Sequence, residues 1–210
     1  MNKLTEPNKN CSKCKRLYNF RKENKSNNPE WFNAPVPSFG DFSSSLLIVG
    51  LAPGLQGANK TGRPFTGDYA GDLLYKTIYK FGLSNGKYKG SIDDNLRLED
   101  CTITNAVRCV PPKNKPISEE INNCNIFLQN TINKHKNLKV IIALGLIAHK
   151  SIISALNLQQ KLYKFKHGNK HYFNNFIMID SYHCSRYNTN TGRLNEKMFE
   201  NIFSEAKKEI

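Results

Sequence analysis

Four short segments with many apolar residues recur along the chain, at residues 46–49, 102–107, 140–145 and 176–180. The first, third and fourth are almost continuously apolar, which is typical of strands that are buried on both faces of a parallel sheet. Parallel strands cannot be joined by a tight turn, so helices are expected between them. The pattern therefore predicts an α/β fold whose core is a parallel sheet.

The predicted helices are segments in which apolar residues recur at intervals of three or four. One begins at Tyr69, and another begins at Ser118, which caps it before an acidic first turn. In the second helix, Cys124 falls on the apolar face and is expected to point inward. The remaining two helices are expected at residues 147–156, where His149 has a structural role, and at residues 198–206.

The first strand runs directly into a glycine-rich loop, residues 50–68, that leads to the predicted helix at Tyr69. A glycine-rich junction between a strand and a helix N-terminus suits an anion or a polar ring. The spacing matches neither a phosphate-binding Walker loop nor a dinucleotide-binding loop. A plain surface connection would account for the glycines, but it would not require the large aromatic Phe65 among them. Phe65 is therefore a candidate for stacking on a base.

Polar residues follow two other predicted strands in positions that suit ligand binding. Asn105 lies within segment 102–107, where a buried amide needs partners from the neighbouring backbone or from a ligand. Segment 176–180 leads directly into a polar loop, residues 181–194, that contains His183. Ligands of open parallel sheets bind beyond the carboxyl ends of the strands. The glycine-rich loop and the His183 loop are therefore expected to share one site.

The 210 residues include 31 Lys and Arg against 17 Asp and Glu, a formal charge of +14. This excess favours a polyanionic partner, nucleic acid before an anionic membrane, although a generally lysine-rich composition explains part of it. The sequence has no apolar stretch of membrane-spanning length and no apolar signal segment at its start. We expect a cytoplasmic protein of one domain, residues 1–210, with residues 1–40 forming a cysteine-bearing collar packed on it.

Six cysteines in a reducing compartment indicate metal ligation or packing rather than disulfides. Cys11 and Cys14 form a close pair, and Cys109 and Cys124 form a wider pair around a proline-rich turn. Four convergent thiolates suit tetrahedral zinc or a [4Fe-4S] cluster, and the wide second pair favours the cluster. The remaining cysteines, expected to be ordinary buried thiols, are Cys101 and Cys184.

Four blocks span almost the whole chain in a specific order. They are Cys11-x-x-Cys14, Gly50-Leu-Ala-Pro-Gly through Thr61-Gly-Arg-Pro-Phe-Thr-Gly-Asp68, Thr104-Asn-Ala-Val-Arg-Cys-Val-Pro-Pro112, and His183 through Thr191-Gly-Arg-Leu194. Together they resemble family 5 of the uracil-DNA glycosylases, a branch that carries an iron–sulfur cluster. Two positions depart from the related patterns. Leu51 stands where family 4 has a glutamate, and Cys184 stands where a proline is usual.

The resemblance implies a three-layer α/β/α fold with a central four-stranded parallel sheet. It also implies a DNA-repair enzyme that flips uracil out of single- or double-stranded DNA and excises it. Members of the family often accept hypoxanthine or xanthine as well. A monomer associated with the nucleoid is expected. The implied ligands of a [4Fe-4S] cluster are Cys11, Cys14, Cys109 and Cys124.

Roles for individual residues follow from the same resemblance. Phe65 would stack on the flipped base, Asn105 would bond its pyrimidine edge, and His183 would face a carbonyl of the base. The loop that follows His183 would enter the duplex. The implied substrate-binding residues are Ala52, Gly54, Phe65 and Asn105.

Excision of a base from DNA requires cations for the phosphates, a wedge and a closed pocket. Because Leu51 offers no carboxylate, we expect a dissociative path in which His183 helps the base to leave as an anion. Water, oriented by Asn59, would then add to the sugar cation, and no catalytic amine is implied for strand cleavage. The residues expected to contact phosphates, brace the loops or form the wedge are Lys60, Arg63, Arg186, Tyr187 and Arg193.

Two functions from other classes account for part of the sequence. A non-catalytic nucleic-acid binder with a cluster would share the charge and the cysteines, and a redox protein would share the cluster alone. Neither function explains why Phe65, Asn105 and His183 all fall near the ends of predicted strands.

Overall fold

The computed structural model describes residues 5–210, so residues 1–4 of the predicted collar lie outside the described residues. The strands are β1 (Phe39–Gly40), β2 (Leu46–Gly50), β3 (Ser84–Asn85), β4 (Arg97–Leu98), β5 (Cys101–Asn105), β6 (Val140–Leu144), β7 (Lys170–Tyr172) and β8 (Ile177–Ser181). The α-helices are α1 (Lys15–Asn27), α2 (Ala58–Thr61), α3 (Tyr69–Lys80), α4 (Ser118–Lys134), α5 (Leu146–Ala155), α6 (Arg186–Asn190) and α7 (Glu196–Lys207). Short 3-10 helices span Pro112–Asn114 and Gln160–Leu162.

The large sheet has the strand order β1-β5-β2-β6-β8-β7, and its four central strands are parallel. Every residue of these four strands is buried, as expected for strands that are covered on both faces. The predicted four-stranded parallel core is therefore confirmed. The antiparallel edge strands β1 and β7 are an addition to the prediction, because they are too short and too polar to stand out in the hydrophobic pattern.

Two apolar clusters form the core, one on each face of the large sheet. One joins Ile48 and Ile142 to α3 and α7, and the other joins Leu47 and Ile141 to α4 and α5. Because successive side chains of a strand point to opposite faces, each of these strands contributes to both clusters. The chain thus has the predicted three-layer α/β/α architecture. None of the helices among residues 5–210 is long and apolar enough to cross a bilayer.

The collar is attached to the rest of the fold through α4. Arg16 donates two hydrogen bonds of 2.7 Å to the carboxylate of Glu120. Leu17 is buried in a third apolar cluster with Val107 and Phe127. The collar therefore has a core only because it shares one with the α/β layers, as expected for a segment of this length.

The first turn of α4 differs from the sequence prediction. Ile117, and not Ser118, occupies the cap position with an extended backbone. The carboxylate of Glu120 accepts a hydrogen bond of 2.9 Å from the backbone N–H of Ile117. The predicted serine cap is therefore wrong, because an acidic residue inside the first turn satisfies the free N–H group instead.

Candidate active site and cysteine cluster

A cavity opens at the carboxyl edge of the parallel sheet, where the two predicted site loops converge. One wall comes from the loop after β2 and the start of α3, and another comes from the loop after β8. Ala52 and Gly54, two of the predicted substrate-binding residues of the glycine-rich loop, lie in the first wall. The residues that line the cavity are Leu51, Ala52, Gly54, Asp68, Tyr69, Ala70, Asn114, His183, Ser185 and Arg186.

Beside this cavity, Gly50, Asn105 and Phe65 meet. Gly50 and Asn105 end neighbouring strands and pair in register. A Cβ atom on Gly50 would lie 2.5 Å from Asn105 Oδ1 and 2.5 Å from Phe65 Cζ, so only glycine leaves room there. Asn105 is 3% exposed, and none of the described residues hydrogen-bonds its Oδ1. A buried amide oxygen without a partner costs about 1–3 kcal/mol, which favours a ligand as its partner.

Phe65 is held in an unusual backbone conformation by its neighbours. Its φ of 55° is in the left-handed region, which is rare for a large side chain. Its carbonyl packs so closely on Gly71 that a Cβ there would overlap the oxygen. The Tyr88 hydroxyl donates to the same carbonyl at 3.4 Å, and the Tyr75 hydroxyl donates to the Pro64 carbonyl at 2.7 Å. These contacts offset backbone strain of about 1–3 kcal/mol and fix the ring.

His183 lies in the wall of the cavity and stacks on Phe65, with 5.9 Å between the ring centroids and 24° between the planes. Its removal from water lowers the pKa of His183 to about 4, so the imidazole is neutral near pH 7. None of the described residues hydrogen-bonds either ring nitrogen, whereas Asn188 Nδ2 donates to the backbone carbonyl of His183 at 2.8 Å. A base between the two rings would need about 7 Å, twice a normal contact distance. Stacking on Phe65 therefore requires the imidazole to shift.

Asp68 is an acidic residue of the cavity wall that the sequence reasoning missed. Its Oδ1 accepts a hydrogen bond of 2.9 Å from the backbone N–H of Gly71 and caps α3. The side chain is exposed, yet the surrounding atoms of the concave wall raise the pKa of Asp68 by desolvation. Its place immediately before a helix indicates a cap rather than a cavity residue, and the motif block that ends at Asp68 assigns it no separate role.

Asn59, predicted to orient water, is fully buried in α2 and does not line the cavity. Its Nδ2 donates to Asn33 Oδ1 at 2.8 Å, so the side chain faces the collar. The predicted role is therefore corrected, because the amide points at a neighbouring loop instead of the sugar position.

Arg63, a predicted phosphate contact, is 6% exposed and forms an ion pair with Asp94. Its two terminal nitrogens lie 2.8 Å from the two carboxylate oxygens, and Nε donates to Thr66 Oγ1 at 2.9 Å. These hydrogen bonds hold the pKa of Asp94 well below its usual range. The predicted phosphate contact is wrong, because the guanidinium is buried and paired with Asp94, and its hydrogen bonds brace the glycine-rich loop instead.

Arg186 lines the cavity, and Tyr187 follows it at the start of α6. Tyr187 is 72% exposed, an unusual degree for a large aromatic ring. The guanidinium of Arg186 lies 5.4 Å from the centroid of the Tyr69 ring, which also lines the cavity. Arg186 therefore borders the cavity, and the ring of its neighbour Tyr187 is accessible to solvent.

Lys60 and Arg193 are exposed and lie over aromatic rings. Lys60 Nζ is 5.7 Å from the Trp31 ring, and the Arg193 guanidinium is 4.7 Å from the Tyr182 ring. Their charges are available to an anionic partner. Arg193 also covers the residue that precedes His183, so it braces that loop.

Asn114 is a second cavity residue that the sequence reasoning missed. It follows Lys113, and both residues have left-handed backbones, with φ values of 55° and 54°. Two such residues in succession, neither of them glycine, are uncommon. They turn the chain after β5 so that Asn114 reaches the cavity. A hydrophobic pattern carries no information about such a turn.

Cys101, Cys184 and His149 are expected from the sequence to be structural rather than functional residues, and their surroundings agree with that prediction. Cys101 and Cys184 are fully or almost fully buried and lie outside the cavities described here. His149 Nδ1 lies 2.7 Å from Asp180 Oδ1, and its Nε2 lies 3.0 Å from the Tyr163 carbonyl oxygen. The histidine therefore ties α5 to β8.

The other four cysteines, Cys11, Cys14, Cys109 and Cys124, border one cavity between the collar and α4. All four are free thiols. Four thiols from separate segments thus converge on one cavity, an arrangement that suits a group with four cysteine ligands, either one zinc ion or a [4Fe-4S] cluster.

The surroundings of these sulfur atoms favour thiolates once a cation is bound. The backbone N–H of Arg108 donates to Cys124 Sγ at 3.3 Å, and Asn123 Nδ2 donates to Cys14 Sγ at 3.8 Å. Burial raises the pKa of Cys109 to about 12 and that of Cys124 to about 11. Metal ligation deprotonates such thiols and offsets the desolvation of the anion.

Comparison with known proteins identifies the class. The sequence model of the uracil DNA glycosylase superfamily matches residues 37–207, and the chain belongs to this superfamily. Within it, the chain is similar to the type-5 uracil-DNA glycosylase of Thermus thermophilus, with 40% identity over 206 residues that cover 94% of this chain and 93% of the relative. The resemblance to family 5 is thereby confirmed.

Two relatives from Pyrobaculum aerophilum agree with this placement. Its type-5 uracil-DNA glycosylase is 35% identical over 201 residues, which cover 94% of this chain and 88% of the relative. Its type-4 uracil-DNA glycosylase is 36% identical over 157 residues, which cover 74% of this chain and 66% of the relative. The match to type 5 thus extends further along both chains.

Proposed function

We propose that this protein excises uracil from DNA by hydrolysing the bond between the base and the deoxyribose, which leaves an abasic site. The observation that carries the proposal is the meeting of Gly50, Phe65, Asn105 and His183 at the carboxyl edge of the sheet. A flipped pyrimidine requires an aromatic face, polar partners for its edge and a donor for its departing charge. The names of the type-5 and type-4 relatives support uracil as the base.

Asn105 provides the selection of uracil. Its unpartnered Oδ1 accepts a hydrogen bond from N3–H of uracil, and its amide N–H donates to O4. Cytosine presents an acceptor at N3 and an amino group at C4, so both contacts would be mismatched. A buried hydrogen-bonding group without a partner costs about 1–3 kcal/mol, and the two mismatched contacts together favour uracil over cytosine.

His183 assists the departure of the base. As the bond to the sugar breaks, its electron pair moves into the uracil ring, and negative charge develops on a carbonyl oxygen. A neutral imidazole N–H stabilises that charge more than it stabilises the uncharged substrate, and it keeps its proton. No carboxylate is needed for this step, which agrees with Leu51 at the cavity wall.

Asp68 is the group that orients the water. Its carboxylate lies in the cavity wall, whereas Asn59 faces the collar. A water that donates a hydrogen bond to Asp68 presents its lone pair to the sugar cation. The water oxygen then forms the new bond to the sugar, and its proton passes to the carboxylate and on to solvent.

The DNA-binding surface surrounds the cavity. Tyr187 enters the duplex at the space that the flipped nucleotide leaves, as exposed apolar wedges do in proteins that distort DNA. Arg186 sits beside it, and the exposed charges of Lys60 and Arg193 contact phosphates. Residues of one chain line both cavities, so neither site needs a residue from a second copy, and the monomer is the proposed active form.

The four cysteines that border one cavity would hold a [4Fe-4S] cluster, and the N–H donors to Cys14 and Cys124 support this assignment. Bound there, the cluster supplies a structural cross-link rather than a catalytic group. Cys11 and Cys14 come from the collar, whereas Cys109 and Cys124 come from the α/β layers. The collar and the α/β layers therefore act as one domain.

The test is a base-release panel on otherwise identical duplexes that contain uracil, hypoxanthine, xanthine or cytosine. The wild-type protein should release free uracil and leave a strand that breaks only after alkali. Asn105→Ala should lose activity on uracil while it retains its binding to undamaged DNA, and the exposed Asn201→Ala serves as its control. No release of any base by the wild-type protein would refute the proposal.

A further inference from the structure

A groove on the collar, separate from the cavity at the sheet edge, carries a concentration of positive charge. Its cations are Lys9, Arg21, Lys22 and Lys25, and no Asp or Glu within residues 5–210 lines it. Arg21 is 5% exposed and donates to the carbonyls of Lys9 at 3.0 Å and Cys11 at 2.5 Å. Its charge is therefore fixed beneath the groove, whereas Lys9 and Lys22 are exposed.

Aromatic rings alternate with these cations. Tyr18 and Phe32 line the groove, and Lys22 Nζ lies 4.8 Å from the centroid of the Tyr18 ring. Surfaces that follow a nucleic-acid strand combine cations for the phosphates with rings for the sugars and bases. The groove has both components, and its lack of acidic side chains favours an anionic ligand.

The wall of the groove is joined to the loop that forms the active-site cavity. Phe32 N–H donates to the Lys60 carbonyl at 3.0 Å, and Asn33 N–H donates to the Asn59 carbonyl at 3.1 Å. Asn59 N–H in turn donates to the carbonyl of Gly54, a residue of the cavity wall, at 3.0 Å. Backbone hydrogen bonds through α2 therefore connect the wall of the groove to the wall of the cavity.

We propose that this groove binds the phosphodiester backbone of DNA on one side of the flipped uracil. The inference rests on the proposed function, because it assumes that the flipped nucleotide occupies the cavity. Lys60, over the Trp31 ring, continues the line of charge from the groove toward the cavity. Contacts of this kind position the duplex without reading its sequence.

The test compares two double variants of equal charge. Lys9→Gln/Lys22→Gln removes the exposed charges of the groove, and Lys197→Gln/Lys207→Gln removes two exposed charges on α7. Affinity for a duplex with a stable abasic-site analogue is measured by fluorescence anisotropy across a series of salt concentrations. Each phosphate contact contributes about 0.9 to the slope of log K against log salt, so the groove variant should lose about 1.8 and the α7 variant should keep the wild-type slope.

Duplex length gives a second readout that a merely structural role would not move. Trimming the duplex on one side of the abasic site should abolish the difference between wild type and the groove variant, and trimming the other side should preserve it. Equal slopes for the two double variants, or a difference that survives trimming on both sides, would overturn the proposal. Uracil release by the wild-type protein is measured on a matched uracil duplex. Absence of release with a changed slope would refute the glycosylase function and leave the groove assignment standing.

Discussion

Replacement of Gly50 by alanine tests whether the base is recognised where Phe65 and Asn105 meet. Gly50 does not have a positive φ, so alanine introduces no backbone strain. Its methyl group, however, would lie 2.5 Å from both Asn105 Oδ1 and Phe65 Cζ. This is about 1 Å inside a normal carbon contact of about 3.5 Å, so both side chains must move. Overpacking of this kind costs about 1–3 kcal/mol of stability.

Gly50→Ala should slow catalysis as well as destabilise the fold. Displacement of Asn105 leaves the uracil edge unpaired, which costs about 1–3 kcal/mol in the transition state, or about 5- to 150-fold in kcat/KM. Single-turnover excision from a uracil duplex measures this loss, and urea unfolding measures the stability. In Gly50→Ala/Asn105→Ala one clashing group is absent, so the stability losses should be less than additive. Excision by Gly50→Ala at the wild-type rate would refute this location for the base.

Three further predictions concern the proton, the water and the cluster. The pKa of His183 is about 4 in the folded protein and about 6.5 in the unfolded chain. As the pH falls from about 6.5 toward 4, the unfolded chain therefore takes up a proton that the folded protein does not, and the wild-type protein should lose stability. The free energy of urea unfolding of His183→Gln should fall less over this pH range. Parallel plots of unfolding free energy against pH for the two proteins would contradict the lowered pKa of His183. Asp68→Asn keeps a capping side chain, so its thermal unfolding midpoint should stay near that of the wild type. Its single-turnover excision should slow by about 10²-fold or more. An unchanged rate would exclude Asp68 as the water-orienting group. Cys109→Ser should lose iron and visible absorbance and become less stable, whereas one zinc and no iron in wild-type protein prepared without oxygen would contradict the cluster.

The sequence predicts the parallel core well because strands such as β6 are buried on both faces and leave a continuous apolar signal. The edge strands β1 and β7 leave no such signal, because short, partly exposed strands resemble loops. Their existence depends on pairing with β5 and β8. Pairing of this kind is a property of the folded sheet rather than of either short segment.

The active site likewise contains residues that the sequence predicts and residues that only the structure shows. Phe65 and Asn105 stand out in the sequence because each contradicts its local context, an aromatic ring among glycines and an amide in a strand. Arg63 resembles a DNA contact until its partner Asp94 is seen, and a pair 31 positions apart cannot be read from local pattern. Asp68 resembles an ordinary helix cap, and its second role depends on the cavity that the fold assembles around it. The structure thus identifies the partners of charged residues, which the sequence does not reveal.

The most direct test of His183 as the group that helps uracil to leave is single-turnover excision by His183→Ala and His183→Gln on a duplex with one uracil. Affinity for a stable abasic-site analogue is measured in parallel, so that slower chemistry is distinguished from weaker binding. Removal of one fixed donor to a developing oxyanion typically lowers the rate by about 10²–10³. We expect a loss of this size in His183→Ala, partial recovery of the rate in His183→Gln and nearly unchanged binding in both. A wild-type rate in His183→Ala would contradict this role of His183.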